Sequence, residues 1–223
     1  MQVYDVPVVF FDLDDSLINK DANSLWIKWR FKRERWAMVE AMQALASLYR
    51  AYKKGKVTHS KLSGYYRTRT RGMTLEEYQQ RVGQFFSERG NLHIYPQAAS
   101  LLFAYQRQGT ELVMITGSDD VVAQAYAREL GIPHVISNRL LEENGEITGL
   151  QLPMCYGDGK VELAQQFLAG RNLTLADAAF YSDSHSDIPL LESVAQPVVL
   201  NPNNELRDYA TEHKWPVLDW RES

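Results

Sequence analysis

Short apolar runs alternate with stretches of helical periodicity along most of this chain, and the alternation predicts its fold class. The predicted strands are residues 6–11, 110–116, 133–137, 178–182 and 197–200. The predicted helices are residues 97–108, 119–130 and 159–169 and a last one from residue 203 onward. Strands that alternate with helices are typical of a parallel sheet with helices packed on its faces. We therefore expect an α/β fold.

The first two strands are separated by about 100 residues, far more than a crossover helix needs, which indicates an insertion. Apolar side chains spaced four and three residues apart predict one long helix within residues 23–52; they are Met38, Met42, Leu45, Tyr49 and Tyr52. Thr74 and Glu77 resemble a capping box that opens a second helix. The insertion is predicted to be a helical subdomain over roughly residues 21–90.

Composition narrows the classes of function. With 223 residues, of which 45% are hydrophobic, the chain can bury a real core, and its net charge of −4 argues against nucleic-acid binding. Cys155 is the single cysteine, so an intrachain disulfide and a Cys-rich zinc site are excluded. No run of 18 apolar residues and no basic leader is present. We expect a cytoplasmic protein that binds a small metabolite, with no membrane or nucleic-acid partner; the oligomeric state stays open.

Two carboxylates follow the first strand directly, in Asp12-Leu13-Asp14-Asp15-Ser16. Residues two apart in an extended chain point the same way, so Asp12 and Asp14 can share one site. Two such acids repel each other unless a cation, a proton or several donors compensate, and Mg²⁺ is well suited to this. Asp-Asp-Ser is also good turn chemistry after a strand, so the segment alone leaves both interpretations open.

Further polar residues lie at the ends of later strands or the starts of helices. Thr116 and Gly117 end the second strand and suit a phosphate oxygen. Lys160 opens a helix, and Asp183 and Asp187 follow the strand that ends at residue 182. Each has an ordinary alternative: a common loop, a surface lysine or a helix cap. Ligands collect at the carboxyl ends of parallel strands, which favours the functional interpretation of the set.

The ordered set of motifs resembles the haloacid dehalogenase-like superfamily of phosphatases. The set is Asp-x-Asp-x-Ser, then Thr-Gly after a strand, Lys at a helix start and Ser-Asp-x-x-x-Asp after a strand. Residues 153–160 and 181–191, with an all-helical insertion after the first motif, are similar to the phosphoserine-phosphatase-like branch, subfamily IB. The resemblance implies a Rossmann-like core of residues 1–20 and 91–223 and a helical cap of the C1 type at 21–90.

The resemblance also implies a role for each motif residue. Asp12 would be the nucleophile that forms an aspartyl-phosphate, and Asp14 would be the general acid and base, which requires a raised pKa. Mg²⁺ would be held by Asp12, the backbone carbonyl of Asp14 and Asp183. The phosphate-binding groups would be Thr116, the Gly117 amide and Lys160. Asp187 would support either the metal or Lys160.

The chain departs from the family pattern at three positions. Asp15 stands where glycine is commonest, Ser182 replaces a frequent glycine, and Ser186 replaces a common asparagine. None of the three removes an essential group. Asp15 adds negative charge beside the nucleophile, so we expect its side chain to point away from the site.

The sequence leaves two kinds of substrate open, one with a carboxylate beside its amino group and one without. In the resembled branch, an acid about nine residues after the nucleophile binds the substrate's amino group, and Asp21 has that spacing. In that branch an arginine of the insertion binds the substrate carboxylate. Arg67, Arg69 and Arg71 are candidates, although a solvated loop is the favoured explanation for any one of them. Phosphoserine would need such an arginine and histidinol phosphate would not, so both remain open.

A segment rich in aromatic and basic residues, residues 26–36, could suggest a membrane-surface helix or a nucleic-acid-binding face. An insertion helix with one apolar side, its tryptophans walling a substrate, is the better interpretation. The expected activity is Mg²⁺-dependent hydrolysis of a phosphomonoester. A phosphotransferase or a non-catalytic phospho-ligand-binding protein on the same fold are the alternatives.

Overall fold

The computed structural model describes residues 3–34, 39–52, 56–89 and 93–221. The strands are β1 (Val8–Phe11), β2 (Glu111–Asp119), β3 (His134–Asn138), β4 (Leu140–Glu143), β5 (Glu146–Leu150), β6 (Ala178–Ser182), β7 (Gln196–Leu200) and β8 (Val217–Leu218). Six of them form a parallel sheet in the order β3-β2-β1-β6-β7-β8, and β4 and β5 form an antiparallel hairpin. The expected α/β fold with a parallel sheet is confirmed.

The helices within the described ranges lie before, between and after these strands. They are α1 (Ala22–Arg33), α2 (Val39–Tyr52), α3 (His59–Arg69), α4 (Leu75–Arg89), α5 (Pro96–Gln108), α6 (Asp120–Leu130), α7 (Asp158–Ala169), α8 (Ile188–Ser193) and α9 (Asn204–Glu212). None of them is long and apolar enough to cross a lipid bilayer.

Strand β1 lies at the point where the order of the sheet reverses. Its neighbours are β2 on one side and β6 on the other, with Phe11 paired to Met114 and to Tyr181. All four residues of β1 are buried, and they alternate between the two faces of the sheet: Val9 and Phe11 join one apolar core, and the other two join the second. Such a switch point leaves a crevice outside the strand ends, where ligands bind in this class of sheet.

The chain leaves β1 and returns to the core through neighbouring segments. Ile18 and Ile94 form an antiparallel bridge, and the Asn19 amide donates to the His93 carbonyl at 2.8 Å. Helices α1 to α4 therefore form one insertion whose two ends lie side by side. This arrangement positions the four helices beside the carboxyl end of β1.

Two expectations for the insertion differ from the structure. The helix predicted within residues 23–52 is two helices, α1 and α2, and Met38 lies outside the described residues. Helix α3 was not predicted, because its buried face carries tyrosines and an arginine in place of an aliphatic stripe. The capping box is present: the Thr74 and Glu77 side chains each accept from the other's backbone amide at 3.1 Å, and α4 follows.

Candidate active site

A cavity of about 570 Å³ opens at the carboxyl ends of the central strands and extends between them and helices α1 to α3. Predicted site residues from distant parts of the sequence line it, among them Asp12, Asp14, Gly117, Lys160 and Asp183. Asp12 and Asp14 follow β1, Gly117 lies in the last part of β2, and Asp183 follows β6. They meet because parallel strands end at the same edge of the sheet.

Asp12 forms a buried ion pair with Lys160. The Lys160 Nζ donates to Asp12 Oδ1 and to Asp187 Oδ2, both at 2.7 Å, and all three side chains are almost wholly buried. Burial raises the pKa of Asp12 to about 6, although Lys160 acts to lower it. Burial disfavours the charged ammonium, but the two carboxylates outweigh this effect and raise the pKa of Lys160. Lys160 is therefore a fixed cation beside the predicted nucleophile.

The loop before α7 is built to hold Lys160 in this place. A Cβ at Gly159 would collide with the backbone carbonyl of Met154, so only glycine fits there. On the other side, the Ser182 hydroxyl donates to Asp187 Oδ2 at 2.6 Å and holds this carboxylate against the lysine. Asp187 thus supports Lys160, which is one of its two predicted roles.

Asp14 is held at both carboxylate oxygens. The Ala22 amide donates to Oδ1 at 2.7 Å, and the Ser118 hydroxyl donates to Oδ2 at 3.0 Å. Burial, with the negative charges of Asp21 and Asp12 adding to it, raises the pKa of Asp14 well above its ordinary value. A raised pKa is what a general acid at this position requires.

Asp183 lies near Asp12, the predicted nucleophile, and has no ion-pair partner in the described part of the chain. Its Oδ1 accepts from the Ser16 hydroxyl at 3.0 Å, and its own amide donates to the same hydroxyl oxygen at 3.0 Å. Burial, followed by repulsion from Asp12 and Asp15, raises the pKa of Asp183 well above its usual range. A partly buried carboxylate with this surrounding charge requires a proton or a cation.

Thr116 and Gly117, the two predicted phosphate-binding residues near the end of β2, differ in their position relative to the cavity. Gly117 lines the cavity, and its carbonyl accepts from the Asn138 side chain at 2.7 Å. Thr116 is fully buried outside the lining, and its Oγ1 accepts from the Ser118 amide at 3.1 Å. That bond leaves the Thr116 hydroxyl hydrogen available for another acceptor.

The expectation that Asp15 points away from the site is met only in part. Asp15 is exposed to solvent, but it also lines the mouth of the cavity and contributes to the raised pKa of Asp183. Its backbone has φ 53°, in the left-handed region that glycine adopts without strain and that aspartate tolerates better than most residues.

Asp21 caps α1 and also lines the cavity. Its Oδ1 accepts from the Ser24 amide at 2.5 Å. Tyrosines form much of the wall around it, on α2, α3 and the loop before α7; they are Tyr49, Tyr52, Tyr65, Tyr66 and Tyr156. The Tyr66 hydroxyl is buried and has no hydrogen-bond partner within the described residues. The tryptophans expected to wall a substrate are packed elsewhere: Trp26 and Trp29 are buried in the core, and Trp36 lies outside the described residues.

None of the three candidate arginines lines the cavity. Arg67 is exposed, and Arg71 pairs with Glu40 at the surface at 2.6 Å. Arg69 is wholly buried and pairs with Asp119 at 2.9 Å, so the solvated loop considered for it is wrong. No arginine of the described ranges lies in the lining.

Several polar residues of the site have no motif in the sequence to mark them. Ser118 and Asn23 reach Asp14 only through tertiary contacts, and Asn138 joins Gly117 to the Cys155 amide, which donates to it at 2.9 Å. Only Ser118 had a sequence signal, its position beside Thr116-Gly117 at a strand end. The side chains of the described residues contain no ready-made metal site of three or more His, Cys, Asp or Glu.

Comparison with known proteins agrees with this geometry. The family model for haloacid dehalogenase-like hydrolases matches residues 9–192. A protein named histidinol-phosphatase from Neisseria meningitidis serogroup C (strain 8013) is 29% identical over 96% of this chain and 99% of its own. A crystal structure of a protein of unknown function from Bordetella pertussis Tohama I has a TM-score of 0.86 at 26% identity, covering 96% of this chain and 98% of that one.

A substrate-bound phosphoserine phosphatase has the same fold, with a TM-score of 0.69 at 16% identity over 99% of this chain and 97% of that one. The motif residues predicted from the sequence fall within the matched range. The chain therefore belongs to the haloacid dehalogenase-like hydrolase family, and the expectation of a phosphatase of that family is confirmed.

Proposed function

We propose that this protein is a Mg²⁺-dependent phosphomonoesterase for a small metabolite that carries an amine or imidazolium group and no carboxylate, of the histidinol phosphate type. One observation carries the choice of substrate: the cavity next to the nucleophile contains Asp21 and a wall of tyrosines, and no arginine of the described residues lines it. A carboxylate and aromatic faces together suit a cation.

Asp12 is the nucleophile in this proposal. Its carboxylate attacks phosphorus in line with the leaving alcohol and forms an aspartyl-phosphate, which water then cleaves at phosphorus to release phosphate and regenerate the carboxylate. The ion pair with Lys160 holds Asp12 in one orientation and places a fixed positive charge where the phosphoryl oxygens arrive. Gly117, which lines the cavity, supplies its amide as a further donor to these oxygens.

Asp14 manages the proton in both halves of the reaction. Its raised pKa keeps the carboxyl protonated when substrate binds, so it gives the proton to the leaving alkoxide. The resulting carboxylate then takes a proton from the attacking water. The two bonds to its oxygens hold the group in one plane during both transfers.

The donor set suits Mg²⁺. Asp183 has no ion-pair partner among the described residues, and the charge of nearby Asp12 helps to raise its pKa. Carboxylate oxygens are ligands that Mg²⁺ prefers. The residues that would hold the metal are Asp12, Asp183 and the backbone carbonyl of Asp14. A bound Mg²⁺ would neutralise the charge on the phosphate and on the carboxylates around it.

The insertion completes the site from above the strand ends. In this proposal residues 21–90 act as a cap of the C1 type on a core of residues 1–20 and 91–223, and helices α1 to α3 form the wall that meets the leaving group. Closure around a small substrate excludes water that would compete with Asp14 in the transfer of a proton to the leaving alkoxide. A cytoplasmic location, where such metabolites occur, is part of the same proposal.

The lysines that line the cavity decide whether phosphoserine, the alternative substrate, could bind there. Phosphoserine would require a cation for its carboxylate; Lys160 is already held by two carboxylates, which leaves Lys28, an exposed residue at the edge of the cavity. The relative named histidinol-phosphatase, which matches almost the whole chain, favours the amino-alcohol substrate. A phosphotransferase would use the same site with an alcohol in place of the second water.

The test is a panel of phosphorylated amino alcohols, amino acids, sugars and nucleotides, compared by kcat/KM with Mg²⁺ present. Asp21→Asn keeps the helix cap, since asparagine caps as well as aspartate, and removes only the charge. We expect it to lower kcat/KM for histidinol phosphate by about 10- to 100-fold, because a hydrogen bond to a charged group contributes about 1.5–3 kcal/mol. Sugar phosphates should be affected less, because the charge of Asp21 acts on them only through the raised pKa of Asp14.

Lys28→Ala is the matched control on the same helix. It should leave the amino-alcohol phosphate unchanged, since the proposal gives Lys28 no contact with that substrate. A preference for phosphoserine that Lys28→Ala abolishes would contradict the proposed substrate. An Asp21→Asn variant with the same substrate ranking as the wild type would contradict the role of Asp21.

A further inference from the structure

A chain of hydrogen bonds connects the buried Arg69 of α3 with the carboxyl of Asp14. Arg69 Nη1 donates to Asn23 Oδ1, Asn23 Nδ2 donates to Ser118 Oγ at 3.2 Å, and Ser118 Oγ donates to Asp14 Oδ2 at 3.0 Å. Arg69 and Ser118 are wholly buried, and Asn23 is partly buried. Two helices of the insertion thus reach the proton-transferring group of the core.

The direction of every bond in this chain is determined at its arginine end. A guanidinium can only donate, so the oxygen of the Asn23 amide must face Arg69 and its NH₂ group must face Ser118. The Ser118 oxygen then accepts from Asn23, and its single hydrogen is left for Asp14. Without this constraint a serine hydroxyl rotates to whichever acceptor is nearest.

Arg69 is itself fixed from the other side. Its Nη2 donates to Asp119 Oδ2 at 2.9 Å, and the Tyr78 hydroxyl donates to the same oxygen at 2.9 Å. The other oxygen of Asp119 accepts from the Val121 and Val122 amides at the start of α6. The guanidinium is therefore fixed to the core at the same time as it orients Asn23.

We propose that Asn23 and Arg69 are positioning residues: they direct the Ser118 hydroxyl to Asp14 and so keep its carboxyl in the plane from which it protonates the leaving alcohol. This inference rests on the proposed function, in which Asp14 is the acid. It makes acid catalysis depend on the docking of the insertion, because the acid lies in the core and both positioning residues lie in inserted helices.

The test compares two leaving groups in the first turnover, measured as the burst of alcohol release with Mg²⁺ present. An alkyl phosphate needs the acid because its alkoxide is a poor leaving group, whereas a nitrophenyl phosphate does not. Asn23→Asp preserves shape and the acceptor for Arg69, but it has no NH₂ group, so the Ser118 hydroxyl turns to it and leaves Asp14. Ser118→Ala deletes the last link.

Both variants should slow alkyl phosphate cleavage by about 10-fold or more, a part of the about 10²- to 10⁴-fold that acid catalysis contributes. The rate of nitrophenyl phosphate cleavage should change by less than about 3-fold, because this leaving group does not need an acid. The double variant, Asn23→Asp with Ser118→Ala, should be no slower than the slower single variant, because effects of residues in one hydrogen-bond network are not additive. Far-ultraviolet circular dichroism and Tm show that each variant is folded.

Thr70→Val is the matched control. It removes a buried hydroxyl next to Arg69 whose bond, to the Tyr66 carbonyl at 2.7 Å, stays within the insertion. This variant should slow both substrates equally or not at all. Equal slowing of both leaving groups by Asn23→Asp and Ser118→Ala, or no slowing, would overturn the positioning role. If the Asp12→Asn variant cleaved these substrates at the wild-type rate, that result would instead overturn the proposed function.

Discussion

At the scale of single residues, Asp15 shows why a family position can favour glycine and still accept another side chain. The chain leaves β1 and turns within a few residues, and this turn places Asp15 at φ 53°. Most L residues are strained there, whereas glycine is not and aspartate is tolerated. The Asp15 carbonyl accepts from the Asn201 side chain at 2.8 Å, which ties the turn to the segment after β7.

Substitutions at Asp15 separate the backbone effect from the charge. Asp15→Val should lower the free energy of unfolding by about 1–2 kcal/mol, the cost of a left-handed conformation for a residue with a bulky Cβ. Asp15→Asn should leave stability nearly unchanged, because asparagine tolerates the same φ. Urea denaturation measures both. Equal stability of the two variants would contradict the backbone explanation.

The motif residues could be predicted from the sequence because each one lies at the end of a strand or the start of a helix, where a local pattern marks it. Asp12, Lys160 and Asp183 were found in this way and lie together in the structure. Asn23 and Ser118 could not be assigned, since their contact joins residues 95 positions apart in the chain and depends on how α1 docks on the core.

At the scale of elements, the insertion is joined to the core through a buried ion pair. Arg69 at the end of α3 and Asp119 at the start of α6 are both wholly buried, and Tyr78 of α4 completes the group. The sequence could not reveal this pair, because three alternating arginines near a helix end look the same whether they are solvated or buried. Burial of Arg69 also removes it from the possible partners of a substrate carboxylate.

Breaking this pair on one side only should be costly. Arg69→Met leaves Asp119 as an unpaired buried charge, and we expect it to lower the free energy of unfolding by about 3–5 kcal/mol. The double variant Arg69→Met, Asp119→Asn removes both charges and should recover part of the loss. Denaturant unfolding of the two single variants and the double variant gives the coupling free energy. Strict additivity would show that the two side chains do not stabilise each other.

At the scale of the whole molecule, the order of the sheet accounts for the position of the site. Strand β1 lies between β2 and β6, so the carboxylates that follow β1 meet the segments after both neighbours. The strand pattern predicted this fold class because buried parallel strands are continuous apolar runs. The break between α1 and α2, and helix α3, were missed, since helical periodicity alone does not mark where tertiary packing divides a helix.

Three buried or partly buried carboxylates lie close together at the site, and they make the stability of the protein depend on both pH and Mg²⁺. The pKa of Asp12 is raised to about 6, and those of Asp14 and Asp183 are raised well above their ordinary value. Such groups bind more protons in the folded state than in the unfolded state, so the stability they contribute is present at low pH and is lost as pH rises through the folded pKa values. The metal-free protein should lose stability as pH rises from about 4, the ordinary pKa of aspartate, through about 6, the raised pKa of Asp12.

Mg²⁺ should counteract this loss, because it binds the ionised carboxylates and stabilises only the folded state. The increase in Tm on adding Mg²⁺ should be larger at pH 8 than at pH 5, because Asp12, with its pKa of about 6, is ionised at the higher pH and largely protonated at the lower one. Asp183→Asn should reduce the increase at pH 8. An increase in Tm that is independent of pH, or that is unchanged in Asp183→Asn, would contradict the assignment of the metal ligands.

The central claim is that Asp12 attacks phosphorus, and its most direct test is the rate of phosphate release from an aryl phosphate by wild type and Asp12→Asn, each with and without Mg²⁺. An aryl leaving group needs no acid, so the comparison isolates the nucleophile. We predict Mg²⁺-dependent release by the wild type and release no faster than the enzyme-free background by Asp12→Asn. An Asp12→Asn variant, folded as judged by Tm, that releases phosphate at the wild-type rate would contradict the account.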